Sequence, residues 1–138
     1  MTGLVVDASA AAALVIVAQQ TTASLALRDQ WDRFEPFAPY VFALEMRWLL
    51  LRRERRLKVG GLLRSGLETL ADLDIGLEPA LERVALEAAL AMAVERNMGF
   101  YDAMYVMLAA ETGAALASKD ARMVAVAERF GIEVLDLR

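Results

Sequence analysis

Four acidic residues in this chain stand at positions where carboxylates can do chemistry. Asp7 and Asp120 each follow a short apolar run, at residues 4–6 and 114–117. Asp102 begins a segment with helical spacing, and Glu45 lies inside a longer one. If the fold brings these carboxylates together, their like charges repel and each side chain favours its protonated form.

A divalent cation relieves such repulsion, and a ligand set made only of oxygen suits Mg²⁺ or Mn²⁺ better than zinc. The ion also lowers the pKa of a bound water, which produces a nucleophile without a histidine. The chain contains no histidine and no cysteine. This excludes a Ser-His-Asp triad, thiolate chemistry and an ordinary structural zinc site. Metal-assisted hydrolysis of a phosphodiester is therefore a route open to this composition.

Three of the acids also have a simpler interpretation. Asp7, Asp102 and Asp120 each precede a predicted helix, and aspartate is a favoured N-cap residue. Glu45 has no such explanation, because it shares a helix row with apolar residues, where a carboxylate is costly unless it is paired or bound to a cation. The alternative is that Glu45 lies at the border of this row and reaches solvent or Arg52.

The elements that position these acids alternate between strands and helices. Apolar runs predict strands at residues 4–6, 37–38, 73–77, 114–117 and 132–135. Helical spacing predicts helices at residues 8–18, 22–34, 40–57, 59–70, 79–96, 102–112 and 121–130. The alternation predicts an α/β fold with a mostly parallel sheet covered by helices on both faces. Ligands of such sheets gather beyond the carboxyl ends of the strands, where Asp7 and Asp120 are expected.

Length and hydropathy favour a single domain over residues 1–138, of which 58% are hydrophobic and 25% charged. A chain of this size can bury a sizeable core without disulfides. Asp7 interrupts the apolar N-terminal stretch, which is too short to span a bilayer. No lysine or arginine precedes it, unlike in a signal peptide. We therefore expect a soluble, cytoplasmic protein with no membrane partner.

Positive charge is concentrated in one segment, although the formal net charge of the chain is −4. Residues 46–58 carry six basic side chains, and Glu54 is the only acid among them. The densest group is Arg52, Arg53, Arg55 and Arg56. We interpret this group as a strip that binds RNA phosphates or an acidic partner, and the alternative is a solvated helix face.

Four sequence blocks contain the acids in a characteristic order. They are Val5-Val6-Asp7-Ala8-Ser9-Ala10, Leu44-Glu45, Tyr101-Asp102-Ala103-Met104-Tyr105 and Leu116-Ala117-Ser118-Lys119-Asp120. Their order and spacing resemble the PIN-domain family, and specifically the VapC-type toxins of bacterial toxin–antitoxin pairs. The resemblance extends over residues 3–137. It implies a three-layer α/β/α sandwich and a ribonuclease that depends on Mg²⁺ or Mn²⁺.

The resemblance also implies roles for individual residues. Asp7 and Asp102 would be the principal metal ligands. Glu45 and Asp120 would bind or orient metal-bound water, or hold a second ion when substrate is present. In our assignment all four acids are catalytic, and Asp120 joins Asp7 and Asp102 as a metal ligand.

Supporting residues and partners follow from the same resemblance. Ser9 and Ser118 match small hydroxyl positions that help to place the acidic cluster and its water. The partners implied are an RNA substrate, an antitoxin protein that blocks the site, and a second copy of the chain in a homodimer. Many relatives carry asparagine three residues beyond the helix glutamate, where this chain has Trp48. We expect the indole to narrow the site or shift Glu45.

Other protein classes explain the sequence less completely. A phosphoacceptor receiver domain would use Lys119, but Asp74 precedes its apolar run instead of following it. A haloacid-dehalogenase-type phosphatase needs a second acid two residues after Asp7, where this chain has Ser9. A catalytically inactive interaction module on the PIN-like fold stays open as the main alternative, because its acids would be caps and surface charges.

Overall fold

The computed structural model of the chain describes residues 1–78 and 83–138. One sheet contains five strands: β1 (Thr2–Val6), β2 (Phe34–Ala38), β3 (Gly76–Leu77), β4 (Ala115–Ser118) and β5 (Val134–Asp136). The strand order is β3-β2-β1-β4-β5, and each of the four strand pairs is parallel. The predicted parallel sheet is therefore confirmed.

Seven α-helices connect and cover the strands in the described residues. They are α1 (Ala8–Val15), α2 (Thr22–Asp29), α3 (Val41–Leu57), α4 (Leu62–Asp72), α5 (Arg83–Arg96), α6 (Phe100–Thr112) and α7 (Ala121–Arg129). Short 3₁₀ turns follow α1 and α2, at Val17–Gln19 and Trp31–Arg33.

The strand order assigns the helices to two faces of the sheet. The chain moves from β1 to β2 to β3 in one direction, and then crosses back to β4 and β5. Because parallel crossovers are right-handed, α1–α4 lie on one face and α5–α7 on the other. The packing agrees, since α1 contacts α2, α3 and α4, whereas α6 contacts α5 and α7. This is the three-layer α/β/α sandwich that the resemblance implied.

The central strands are buried from both sides, as a parallel sheet between two helical layers requires. Leu4, Val5 and Val6 of β1 and Leu116 and Ala117 of β4 have no exposed surface. The core is therefore continuous through the middle of the sheet, and it fixes the ends of β1 and β4. Among the described residues, no helix combines the length and the apolar character needed to cross a membrane.

Several predicted elements have different bounds in the structure. The helix predicted at residues 8–18 ends at Val15, because Ile16 adopts an extended conformation. The helix predicted at 59–70 begins only at Leu62, after Gly61 with a φ of 88°. The helix predicted at 22–34 ends at Asp29. The predicted start of the helix at 79–96 falls on residues 79–82, outside the described part.

The neighbouring strands β1 and β4 align the candidate site. Val6 pairs with Ala117 in the parallel register, and the backbone N–H of Asp7 donates to the carbonyl of Ala117 at 3.2 Å. Asp7 and the residues after Ser118 therefore leave the sheet side by side at its carboxyl edge.

Candidate active site

Asp7 lies at the junction of β1 and α1, where it caps the helix as predicted. Its Oδ1 accepts hydrogen bonds from the backbone N–H of Ala10 and the hydroxyl of Ser9, both at 2.7 Å. Its Oδ2 accepts from the hydroxyl of Ser118 at 2.5 Å. Only 2% of the residue is exposed. The carboxyl group is therefore held in one orientation from both sides.

The two serines also connect Asp7 to the loop after β4. Ser9 Oγ accepts from the backbone N–H of Lys119 at 2.9 Å, and Ser118 Oγ accepts from that of Asp120 at 3.0 Å. The two hydroxyl oxygens are 3.5 Å apart. Both serines therefore lie between Asp7 and the loop that carries Asp120, and their supporting role stays a prediction.

Asp120 begins α7 and caps it, as the capping interpretation predicted. Its Oδ1 accepts from the backbone N–H groups of Arg122 at 2.9 Å and Met123 at 3.0 Å. The residue is exposed. Since both hydrogen bonds use Oδ1, Oδ2 is left for another ligand.

Asp102 does not cap its helix, and that prediction was wrong. Helix α6 begins at Phe100, and the residue in the N-cap position is Gly99. Asp102 is therefore inside the first turn, where a negative charge is favoured by the helix dipole. A Cβ atom built on Gly99 would lie only 3.2 Å from Oδ2 of Asp102, so the carboxylate lies close against the backbone there.

Glu45 lies in α3 and is half-buried, with its carboxylate directed to α6. Its Oε1 accepts a hydrogen bond from the hydroxyl of Tyr105 at 2.6 Å. The alternative contact with Arg52 is not formed: the Arg52 guanidinium lies over Trp48, 5.6 Å from the ring centroid. Trp48 is 53% exposed.

Glu45 and Asp102 line one shallow cavity with Gly99, Phe100 and Tyr101. Its volume is about 470 Å³, and Trp48 is not among its lining residues. The cavity is open to solvent next to the exposed ring of Tyr101. The cavity is large enough for a nucleotide to approach the two carboxylates.

The carboxylates influence each other, and Asp102 is the common neighbour. Burial raises the pKa of Asp7 to about 6; the hydrogen bonds from Ser118, Ala10 and Ser9 lower it, and the charge of Asp102 raises it. Burial also raises the pKa of Glu45; the Tyr105 hydrogen bond lowers it, and Asp102 again raises it.

Asp102 itself has a raised pKa. Burial is the main cause, the charge of Asp120 raises it further, and the charge of Arg122 lowers it. The pKa of Asp102 is thus affected by the charge of Asp120, and the pKa values of Asp7 and Glu45 are affected by the charge of Asp102. Within residues 1–78 and 83–138, however, no three acidic side chains approach closely enough to form a ready metal-binding group. The metal ligands therefore stay a prediction.

Tyr105 was not predicted as a partner of Glu45. Its ring is buried, with 1% exposure. The available signal was its position three residues after Asp102, on the same face of α6. Its partner is 60 residues away in the chain, and a single sequence does not show that pairing.

The basic strip lies on α3 and lines a groove of its own. Arg52, Arg53, Arg55 and Arg56 form its wall, together with Leu49 and with Gln19 from the turn after α1. The carbonyl of Gln19 accepts a hydrogen bond from the Lys119 ammonium group at 3.4 Å. The groove is therefore linked to the loop between Ser118 and Asp120.

Comparisons with known proteins identify the class. Residues 4–129 match the PIN domain, so the chain belongs to the PIN-domain family. The crystal structure of PAE2754 from Pyrobaculum aerophilum is similar in fold, with a TM-score of 0.69 and 23% sequence identity. The similarity covers 97% of this chain and 84% of that one. No match was found among curated proteins. Family membership indicates a nuclease-type function and RNA binding.

Proposed function

We propose that this chain is a metal-dependent endoribonuclease and the toxin of a toxin–antitoxin pair. Asp7, Asp102 and Asp120 would hold Mg²⁺ or Mn²⁺, and Glu45 would orient the attacking water. The observation that carries the proposal is the match of residues 4–129 to the PIN domain. Burial is the main cause of the raised pKa of Asp7 and of Glu45, and the charge of Asp102 adds to it in both. Such repulsion at the edge of a parallel sheet is offset by a cation.

The donor atoms fit a hard divalent ion. All four side chains offer oxygen only, which is the ligand type that Mg²⁺ and Mn²⁺ prefer. Oδ2 of Asp7 accepts one hydrogen bond and has the capacity to accept a second. Oδ2 of Asp120 is outside the capping bonds of α7. When bound, the ion supplies charge neutralisation at the phosphate and a lowered pKa for a bound water.

The chain's own residues supply orientation. Ser9 and Ser118 fix the two oxygens of Asp7, so that this ligand does not need to be ordered when the ion arrives. The hydroxyl of Tyr105 fixes Oε1 of Glu45, and the other oxygen can receive a proton from water at the cavity. Preorganised groups of this kind lower the barrier because they cost no reorganisation during the reaction.

We further propose that the RNA strand lies along α3. Glu45, Leu49, Arg52 and Arg56 follow each other at spacings of four, three and four residues, so they share one face of the helix. At 1.5 Å per residue, Arg52 and Arg56 lie roughly 10 and 16 Å from Glu45 along the axis. Phosphates some nucleotides away from the cleaved bond would contact these arginines.

The arginines have charge to offer to such phosphates. Glu54, the only acid of residues 46–58, accepts a hydrogen bond from the backbone N–H of Leu63 at 3.2 Å, at the start of α4. In the part of the chain that the structure describes, the two ion pairs are Arg83–Glu87 and Arg138–Asp136. Neither ion pair involves the arginine strip, so the charge of the strip is not neutralised by these ion pairs.

Cleavage of RNA tests the proposed reaction. A mixture of transfer, ribosomal and messenger RNA is incubated with the protein and EDTA, and then with added Mn²⁺ or Mg²⁺. We expect cleavage only with the metal, and a loss of at least about 100-fold in Asp102→Asn. Asp29→Asn, an exposed change at the end of α2, is the matched control and should cleave normally. Cleavage in EDTA, or an active Asp102→Asn, would contradict the proposal.

The toxin role, the antitoxin and the homodimer are also proposals. An exposed apolar row at the N-cap of α3 and along the helix supports a protein partner: Tyr40, Leu44 and Trp48 are 52%, 56% and 53% exposed. Sedimentation of the isolated chain tests the homodimer, since a monomer has a mass of 15.1 kDa. Induced expression in a bacterial host tests toxicity, which Asp102→Asn should abolish. Equal growth with both chains would contradict the toxin role.

An inactive PIN-like interaction module is the second candidate. One observation favours it, namely that the acids in the described residues do not form a group of three at metal-binding distances. In that case the acids would act as caps and surface charges, and binding partners would use α3. Absence of metal binding by the folded chain would support this reading.

A further inference from the structure

The hydrogen bond between Tyr105 and Glu45 connects the two helical layers of the fold. Tyr105 belongs to α6 and Glu45 to α3, and these helices lie on opposite faces of the sheet. The oxygen atoms are 2.6 Å apart. Tyr105 is one helical turn beyond Asp102, so the same face of α6 presents one acid and the donor that holds another.

The bond has a fixed direction. Tyr105 is 1% exposed, and in the described residues the only hydrogen bond of its hydroxyl group is the one to Glu45. Burial and the adjacent carboxylate raise the pKa of Tyr105 far above its ordinary value. The phenol therefore keeps its proton, and its O–H donates a hydrogen bond to Oε1 of Glu45.

The bond also limits where Glu45 can point. A glutamate on an exposed helix face has several rotamers, and fixing one of them costs conformational entropy. Tyr105 holds this side chain toward the cavity that Asp102, Gly99 and Tyr101 line. Oε2 of Glu45 is then the oxygen left for a ligand in that cavity.

We propose that Tyr105 is a positioning residue for the reaction, acting through Glu45. The inference rests on the proposed nuclease function and adds to it the group that orients the water-binding carboxylate. Tyr105 itself touches no substrate in this account. The competing explanation is a buried tyrosine that merely satisfies its hydroxyl and stabilises the packing of α6.

A double-mutant cycle separates these explanations. Tyr105→Phe removes only the hydroxyl, and Glu45→Gln removes the charge but keeps an acceptor. RNA cleavage with Mn²⁺ gives kcat and KM, and thermal unfolding gives Tm for each variant. We expect Tyr105→Phe to lower kcat about 10- to 100-fold, the range for groups that orient a ligand, with KM changed less than about twofold. In the Glu45→Gln background the same change should have no further effect.

Ser65→Ala is the control for the loss of a hydroxyl group, because this serine is exposed on α4, and it should leave kcat unchanged. Glu45→Asp is a second test, since its shorter carboxylate is withdrawn from Tyr105 while the charge is kept. The kcat of Glu45→Asp should fall by a similar factor. A normal kcat in Tyr105→Phe or in Glu45→Asp would overturn the proposal, as would equal losses from Tyr105→Phe in both backgrounds.

Failure of the positioning role and failure of the nuclease function give different results. A wild-type chain that cleaves RNA, with Tyr105→Phe equally active, overturns the positioning role alone. A wild-type chain that neither binds Mn²⁺ nor cleaves RNA overturns the proposed function, and the positioning role with it.

Discussion

The hydroxyl group of Ser118 donates a hydrogen bond to Oδ2 of Asp7 at 2.5 Å, and this bond joins the carboxyl ends of β4 and β1. Both residues are buried, at 0% and 2% exposure. The bond crosses 111 positions of the chain, so it forms only when the parallel register of the two strands is correct. The candidate site is thus built on the most buried part of the sheet.

Removal of this donor should change the titration of Asp7. The Ser118 hydrogen bond lowers the pKa of Asp7 against the effect of burial. In Ser118→Ala we therefore expect that pKa to rise above its value of about 6. The free energy of unfolding should also fall by about 1–3 kcal/mol, because a buried carboxyl oxygen loses its hydrogen-bond partner.

Carbon-13 NMR of the Asp7 carboxyl group, recorded against pH without metal, measures this shift. Ser65→Ala changes an exposed serine of α4 and is the control. A pKa in Ser118→Ala at or below that of the wild type would show that the bond does not stabilise the carboxylate.

Asp7 should make the folded protein less stable at neutral pH than at acid pH. Its pKa is raised from 3.8 to about 6, so the folded state binds this proton more tightly than the unfolded state. Below pH 3.8 the ionisation of Asp7 does not change the free energy of unfolding. This free energy falls as the pH rises from 3.8 to about 6. Two pKa units correspond to about 3 kcal/mol.

Asp7→Asn should remove this penalty, since asparagine is also a good N-cap. Urea unfolding in EDTA should show the variant more stable than the wild type by up to about 3 kcal/mol at pH 7. The difference should vanish below about pH 4, and Asp29→Asn, at an exposed position, is the control for the loss of one carboxyl group. The opposite result would be an Asp7→Asn variant that loses stability relative to the wild type as the pH rises from 4 to 7. That result would mean that the Asp7 carboxylate stabilises the fold.

Gly99 should be required beside Asp102. A Cβ at this position would lie 3.2 Å from Oδ2 of Asp102, which is tighter than ordinary van der Waals contact. We expect Gly99→Ala to displace the carboxylate and weaken Mn²⁺ binding several-fold, with the fold retained. Gly60→Ala is the matched control, because no atom lies within 4 Å of its built Cβ. Equal Mn²⁺ affinity in the two variants would show that the site tolerates the methyl group.

The arginine strip should determine the salt dependence of RNA binding. Each phosphate contact on a single strand contributes about 0.7 to the slope of log K against log salt. The double variant Arg52→Gln with Arg56→Gln should therefore reduce the slope by about 1.4. Fluorescence anisotropy with single-stranded RNA in EDTA measures this. The charge-matched variant Arg64→Gln with Arg129→Gln should keep the wild-type slope. An unchanged slope in both double variants would mean that the arginine strip is a solvated helix face and does not contact RNA phosphates.

The sheet could be predicted because its central strands are buried on both faces and are continuously apolar. Strand β2 was predicted only at residues 37–38, since Pro36 lies inside it. The structure accommodates Pro36 because β3 pairs with β2 only from Phe37 onward, which leaves one side of β2 unpaired at the proline.

The positions of the acids after β1 and before α7 could also be predicted, because strand ends in a parallel sheet meet at one edge. The start of α6 could not be predicted, since Asp102 and Gly99 are both acceptable N-caps and only the backbone decides between them. The hydrogen bond between Tyr105 and Glu45 could not be predicted for a similar reason. An apolar helix face predicts burial of Tyr105 but does not specify what its hydroxyl meets in another layer.

The central claim is that the acids form a metal site, and Mn²⁺ binding measured by calorimetry tests it most directly. Binding does not require the correct RNA to be known. We expect the wild-type chain and Asp29→Asn to bind Mn²⁺ with equal affinity, and Asp102→Asn to lose measurable binding. Equal binding by wild type and Asp102→Asn, or no binding by the folded wild-type chain, would contradict the account and leave an interaction module on a nuclease fold.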